Sequence, residues 1–235
     1  MKYKKILLKL SGEVLAGKNS FGIEENALMF YVNEISEIVE KGIQVAIVIG
    51  GGNIFRGASY SSAFNIDQPR ADYMGMLATV INGIALNEAF RQKGFNCKHI
   101  TAFEIQKIGE IYNHEKALQY FDSNNIIIFT GGTGNPLFTT DSAAALRAIE
   151  LNCDLLIKGT KVDGVFSADP LKYQDAIKYN TASFDEVIEK NLKVMDTAAF
   201  ALCREHKMPV VVYNANIKGN LLKIIESVKI GTLIS

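Results

Sequence analysis

The chain has 235 residues, 48% of them hydrophobic and 21% charged, enough apolar material for one large core at an ordinary charge density. Its 25 lysines and arginines balance 25 aspartates and glutamates, which argues against a general nucleic-acid binder, whose footprint is a basic excess. Cys97, Cys153 and Cys203 form no CxxC pair and His99, His114 and His206 no metal spacing, so neither a zinc site nor a disulfide framework is indicated. Free thiols in a reducing compartment are expected. No apolar run is long enough for a membrane span, and Lys9 interrupts the apolar start too early for a signal peptide, so a cytoplasmic protein is expected.

Ile6-Leu-Leu8 is the first expected strand, closing on Lys9-Leu-Ser-Gly12, where an ammonium stands beside a tight turn that exposes N–H groups. A polar loop over 17–22 precedes a helix over Glu24–Lys41, with Phe30, Tyr31, Ile35, Ile38 and Val39 on one face and Gly42 as its stop. Next comes the stretch that organises the rest, Val45-Ala-Ile-Val-Ile-Gly-Gly-Gly-Asn-Ile-Phe-Arg-Gly57. Five apolar residues without alternation suit a strand buried on both faces. Gly50, Gly51 and Gly52 are expected to turn the chain with φ > 0 and to offer bare N–H groups to an anion, with the Arg56 fork beside them.

After a polar loop over 58–68, Pro69 begins a long helix ending near Lys93. Its middle, Met74 to Leu86, is apolar almost all round, the pattern of a buried or interfacial helix. Asp72 is expected in its first turn, where the helix dipole favours a carboxylate. A strand at Lys98–Thr101, a helix at Asn113–Phe121 and a strand at Asn125–Thr130 lead to a second glycine turn, Gly131-Gly-Thr-Gly-Asn-Pro-Leu-Phe-Thr-Thr-Asp141. A helix over Ser142–Asn152 follows, and strand, glycine turn and helix N-terminus in that order bind phosphate. Asp141 is read as the N-cap of that helix, as an orienting group for a lysine or a metal-bound nucleotide, or as both.

Leu155-Leu-Ile157 is a further buried strand. Val165-Phe166, between the turn signals Asp163-Gly164 and Asp169-Pro170, suggests a hairpin whose aromatic ring could lie against a flat ligand. Ser183 and Glu186 read as a capping box, and Asp196 as the N-cap of a helix over Thr197–Lys207. Pro209–Tyr213, Gly219–Val228 and Gly231–Ile234 close the chain as strand, helix and strand.

This alternation predicts an α/β fold, an open and mainly parallel sheet with helices on both faces, in three αβα layers. Ligands of such sheets lie beyond the carboxyl ends of the strands, where Lys9 and both glycine turns fall. One domain over 1–235 is expected, with approximate lobes over 1–141 and 142–235. A Walker A loop is excluded because Ala58-Ser59 stands where Lys and Ser/Thr are required. A dinucleotide fingerprint is excluded because Leu137 takes the place of its third glycine. Two anion sites and a lysine in one crevice imply two phosphorylated ligands that meet, and therefore phosphoryl transfer.

Lys9-Leu-Ser-Gly12, the Gly50–Gly57 turn and the Thr160–Pro170 segment resemble the amino-acid-kinase superfamily. Asp72-Tyr-Met-Gly-Met-Leu-Ala-Thr79, Gly132-Thr-Gly-Asn-Pro-Leu-Phe-Thr-Thr-Asp-Ser142 and Lys193-Val-Met-Asp196 narrow the resemblance to the bacterial uridylate (UMP) kinases, over essentially the whole chain. That resemblance implies transfer of the ATP γ-phosphate to UMP, with Mg²⁺, in pyrimidine nucleotide synthesis. It also implies a cytoplasmic homohexamer, a trimer of dimers, inhibited by UTP, without nucleic-acid or membrane partners. Carried over by position, Lys9, Asp141 and Asp196 are the catalytic residues. Gly51, Asp72, Thr133, Gly134, Asn135, Pro136, Leu137, Phe138, Thr139 and Thr140 serve UMP. Lys9, Leu10, Ser11, Gly12, Gly52, Arg56, Thr160, Phe166 and Asp169 serve ATP, whose phosphates carry the metal in place of a direct protein motif.

One departure concerns regulation by GTP, for which the resemblance implies charged residues around Asn87, Glu88, Arg91 and Lys98. Asn87 and Lys98 stand where arginines are expected, and a lysine cannot reproduce a bidentate phosphate grip. The alternatives are an amino-acid kinase of the same superfamily, or a non-catalytic nucleotide- or oxyanion-binding protein on this fold. Asp72 and the Thr133–Pro136 loop favour a nucleotide acceptor, and Lys9, Asp141 and Asp196 together exceed what binding alone needs.

Overall fold

The computed structural model describes residues 2–55, 66–168, 170, 172–173, 175–190, 192 and 194–235. Among them the strands are β1 (Lys5–Leu10), β2 (Gln44–Ile49), β3 (Cys97–Thr101), β4 (Glu110–Ile111), β5 (Ile126–Thr130), β6 (Leu155–Thr160), β7 (Thr181–Ala182), β8 (Val210–Asn214) and β9 (Thr232–Ile234). They form one sheet in the order β4-β3-β5-β2-β1-β6-β8-β9-β7, parallel throughout except where β9 runs against β8. The helices are α1 (Glu25–Glu40), α2 (Gln68–Gln92), α3 (His114–Asp122), α4 (Thr140–Glu150), α5 (Phe184–Glu189), α6 (Thr197–Glu205) and α7 (Asn220–Ile225). The expected three-layer, mainly parallel α/β sheet is the observed one.

The pleat sorts the apolar strands into two cores. Ile6, Leu8, Ile47, Ile49 and Ile157 pack on one side with Val32 and Ile35 of α1, Leu86 and Phe90 of α2 and Ile224 of α7. Leu7, Val48, Phe129 and Leu156 pack on the other with Phe121 of α3, Ala144 and Ala148 of α4, Phe184 of α5 and Phe200 of α6. Each fully buried Leu, Ile or Phe contributes about 1.5–3 kcal/mol, which is why the strands could be read from unbroken apolar runs. β2 and β6 flank β1 and the chain order diverges there, so β1 and β6 meet at the switch point where parallel sheets open a crevice.

Several expectations need correction. Gly50, Gly51 and Gly52 do not take positive φ. Crowding holds two of them: a Cβ on Gly50 would lie 2.9 Å from the Gly12 nitrogen, and one on Gly51 2.8 Å from both the Ala78 Cβ and the Gly75 carbonyl oxygen, whereas one on Gly52 would meet Glu13 no closer than 3.6 Å. The second turn does need the left-handed region, at Gly131 (φ 80), Gly132 (φ 60) and Gly134 (φ 83), and Leu137 adopts it as well (φ 72).

Asp141 is not the N-cap of its helix. Thr139 is, its hydroxyl accepting the Asp141 N–H at 3.0 Å, which moves Asp141 inside α4 and frees its carboxylate. Asp72 lies beyond the first turn of α2, because the helix starts at Gln68 with Pro69 in its first positions. The hairpin expected around Val165-Phe166 has a later partner than the Asp169-Pro170 turn signal suggests. Phe166 forms an antiparallel bridge with Lys178, and the Tyr179 N–H donates to the Val165 carbonyl at 2.9 Å, so the returning segment comes from well downstream. A 3-10 turn over Gly12–Ala16 and the two-residue strands β4 and β7 carry too little pattern to be foreseen.

Candidate active site

Lys9 and Lys158 occupy paired positions of β1 and β6. Residues paired in a parallel ladder project to the same face, here the face covered by α4, because Leu7 two residues earlier packs there. Thr139 caps α4 and delivers Asp141 to the same point. Lys9 Nζ lies 2.8 Å from Asp141 Oδ1 and Lys158 Nζ 2.6 Å from Oδ2, with all three side chains largely buried. Lys9 approaches as an ion pair poorly aligned for a hydrogen bond, leaving Oδ1 without a hydrogen-bond donor. Lys158 also donates to the Val194 carbonyl.

Burial would raise the Asp141 carboxyl, but the two ammonium groups outweigh it and hold the group below its ordinary value of 3.8. For Lys158, burial dominates and Lys9 adds repulsion, so its ammonium titrates below the ordinary lysine value despite Asp141. The carboxylate thus gains from the cluster while Lys158 bears its desolvation. Two cations share one anion, and a further negative group would relieve that excess. Asp196 caps α6 by accepting the Ala199 N–H at 2.8 Å, and it also accepts the hydroxyls of Ser142, at 2.9 Å, and of Thr139. It lines a cavity with Asp141, Val194 and Phe200.

Lys158 was missed in the sequence. Its signal was present: Leu155-Leu-Ile157-Lys158 repeats the pattern of Ile6-Leu-Leu8-Lys9, an apolar strand ending in lysine.

A cavity of about 170 Å³ separates the two glycine turns and is lined by Gly51, Gly52, Asp72, Phe138, Thr139 and Thr140, among others. Asp72 is already engaged, its Oδ2 accepting the Leu137 N–H at 2.8 Å and its Oδ1 the Gln68 amide at 2.7 Å. Thr133, Gly134, Asn135, Pro136 and Leu137 form the outer arm of the second turn and do not line that cavity; Thr133 closes on the Asn135 backbone and Leu137 is 74% exposed. Gly12 packs under the first turn, where a Cβ would meet Asn53 Oδ1 at 2.5 Å. Ser11 caps the 3-10 turn, while the Leu10 side chain is in the core and its carbonyl takes the Gly50 N–H at 2.8 Å. Thr160 and Phe166 line a separate cavity of about 610 Å³ with Val162, Val165 and Tyr173. Arg56 and Asp169 lie outside the described residues.

Among the described residues no three His, Cys, Asp or Glu side chains gather to hold a metal ion. Asp141 and Asp196, the carboxylates nearest the lysines, are both engaged by donors. A divalent ion would suit this site as part of a Mg–ATP substrate.

Shared cationic charge beside glycine-rich turns at the carboxyl ends of parallel strands is the arrangement of α/β proteins that handle phosphoryl groups. Residues 4–214 match the profile of the amino acid kinase family. Uridylate kinases of Parabacteroides distasonis and Bacteroides thetaiotaomicron are each 47% identical to this chain over 99% of its length and 98% of theirs. The crystal structure of UMP kinase from Bacillus anthracis matches with a TM-score of 0.97 at 37% identity, covering 100% of this chain and 97% of that one. The chain belongs to the amino acid kinase family and, within it, to the uridylate kinases.

Proposed function

We propose that this chain transfers the γ-phosphate of ATP directly to UMP, giving ADP and UDP. The observation that carries the reading is Asp141 held between Lys9 and Lys158 at the carboxyl ends of β1 and β6, beside a cavity bounded by both glycine turns. UMP takes the cavity between the turns, with Asp72, Phe138, Thr139 and Thr140 at its nucleoside side and the outer arm Thr133–Leu137 folding against it. ATP takes the cavity of Thr160 and Phe166, and its phosphates run toward Gly12 and Gly52; Arg56 and Asp169, outside the described residues, are assigned to ATP by the resemblance alone. Approximate lobes over 1–141 and 142–235 divide the acceptor from the donor.

The bond from the γ-phosphorus to the β,γ-bridging oxygen breaks as a bond to a UMP phosphate oxygen forms. A phosphate monoester has its second pKa near 6, so the acceptor is ionised at neutral pH and needs no general base. That matches Asp141, whose carboxylate is ion-paired and held ionised. Asp141 fixes the two ammonium groups, and they stabilise charge on the transferring group. With no described carboxylate set to hold it, Mg²⁺ would enter with ATP and would supply neutralisation of phosphate charge. Asp196 acts on the same point by fixing Thr139 and Ser142 at the start of α4.

The protein assembles with copies of itself, up to a hexamer built as a trimer of dimers. α2 supports this by exposing Met74, Leu77, Ile81 and Ile84 along one stripe, which a second copy would cover. No described helix is long and apolar enough to cross a membrane, and the reading places the enzyme in the cytoplasm. UTP competes at the UMP site, whereas GTP leaves the rate unchanged. Lys98 is already seated 4.6 Å from the Tyr120 ring centroid and 4.0 Å from Glu110.

A coupled ADP-release assay with Mg–ATP, offering UMP, CMP, dUMP and glutamate in parallel, tests this reading. UMP turnover well above the others is expected, abolished by a chelator, reduced by UTP and flat in GTP. Turnover with glutamate alone, or nucleotide binding without turnover, would overturn it.

A further inference from the structure

One face of α2 holds both glycine turns. Asn82 is fully buried, and its amide donates to the Gly50 carbonyl at 2.8 Å and to Asn53 Oδ1 at 2.7 Å. Asn53 answers with a donation to Asn82 Oδ1 at 3.0 Å and another to the Gly22 carbonyl at 2.8 Å. One turn of helix earlier, the buried Thr79 hydroxyl accepts the Gly131 N–H at 2.7 Å and donates to the Met76 carbonyl at 2.6 Å. Residues three apart on a helix share a face, so Asn82 reaches the first turn and Thr79 the second from a common rigid support. Ala78 and Gly75 of the same helix press on Gly51, and Thr79 lines the cavity between the turns.

Hydrogen bonds that fully satisfy a buried network make it rigid. Direct transfer demands that rigidity, because reacting atoms must meet at about 3–3.5 Å and a misplacement of about 1 Å can cost a hundredfold in rate. We infer that Thr79 and Asn82 are positioning residues that set the separation of the two glycine turns, and with it the distance between the acceptor phosphate and the transferred group. The inference rests on the UMP-kinase reading for the identity of those two groups. Thr79 acts on the acceptor side alone, through the second turn. Asn82 acts on both substrates, because the first turn faces both.

Thr79→Val keeps the shape and removes the hydroxyl, Thr79→Ser keeps the hydroxyl, and Asn82→Asp keeps the shape and removes the amide donor. Kinetics are taken per folded molecule, with hydrogen–deuterium exchange of the two turns measured alongside. Thr79→Val is expected to lower kcat about tenfold or more and raise KM for UMP, with KM for ATP unchanged within about twofold and faster exchange in the second turn. Thr79→Ser restores kcat to within about threefold of wild type. Asn82→Asp lowers kcat, raises both KM values and speeds exchange in the first turn. A uniform loss that tracks the folded fraction, the same KM pattern for both variants, or no rescue by serine would overturn the inference. Wild-type turnover with UMP reports on the underlying reading by itself, and the exchange pattern reports on the two supports whatever the acceptor proves to be.

Discussion

Lys9→Ala is expected to lower kcat for UMP phosphorylation by roughly a hundredfold to a thousandfold, the loss found for one pre-organised donor in an oxyanion hole, about 2.7–4 kcal/mol. The ammonium it removes is nearly buried, so it acts in a medium where water does not screen it. The fold should survive, because Asp141 keeps Lys158 at 2.6 Å and is not left unpaired. Lys9→Arg should rescue little, since a planar fork cannot occupy the space of a compact ammonium on a packed strand. Steady-state kinetics beside a far-UV spectrum check both parts. Near-normal turnover would remove Lys9 from the chemistry.

Asp141→Ala carries the largest combined effect. It leaves two buried ammonium groups without their shared anion, and breaking a buried pair by removing one partner costs about 3–5 kcal/mol. For a chain of this size each kcal/mol moves Tm by about 2–4 °C, so a fall of roughly 6–20 °C is expected in a thermal melt, together with loss of turnover. The pH dependence has a definite sign. The folded Asp141 carboxyl titrates below its ordinary 3.8, so its stabilisation is complete above that value and is lost as pH falls through the folded pKa. Lys158 adds a slope at the other end, where stability rises with pH between its depressed folded value and the ordinary 10.5. The stability gap between wild type and Asp141→Asn, read from urea unfolding, should therefore be full at neutral pH and shrink in acid. A gap independent of pH would show that the carboxylate charge is not what the lysines hold.

How far the sequence could be read follows from where each signal resides. Buried parallel strands announce themselves as unbroken apolar runs, and Ile6–Leu8, Val45–Ile49 and Leu155–Ile157 all became strands of the central sheet. Helix caps with a short polar side chain were legible too, as Ser183 and Asp196 were found capping. Of the roles left open for Asp141, contact with lysine is the observed one; the cap goes to Thr139, because Thr139, Thr140 and Asp141 are all competent caps and only the path of the turn selects among them.

Each lysine is legible as the end of an apolar strand, but their meeting at one carboxylate lay beyond local reading. It depends on β1 pairing with β6, a contact between residues far apart in the chain, and no pattern within either strand states that register. The positive φ expected at the first three glycines failed for a similar reason. The crowding that excludes a side chain at Gly50 and Gly51 comes from Gly12, Ala78 and Gly75, which are brought to them by β1 and α2.

A structure of the protein with UMP and a non-hydrolysable ATP analogue bound together measures the meeting point itself. The γ-phosphate analogue should lie within hydrogen-bond distance of both Lys9 and Lys158, facing a UMP phosphate held between the two glycine turns. A γ-phosphate seated away from both lysines, or UMP bound outside the cavity of Gly51 and Thr140, would contradict the proposed transfer.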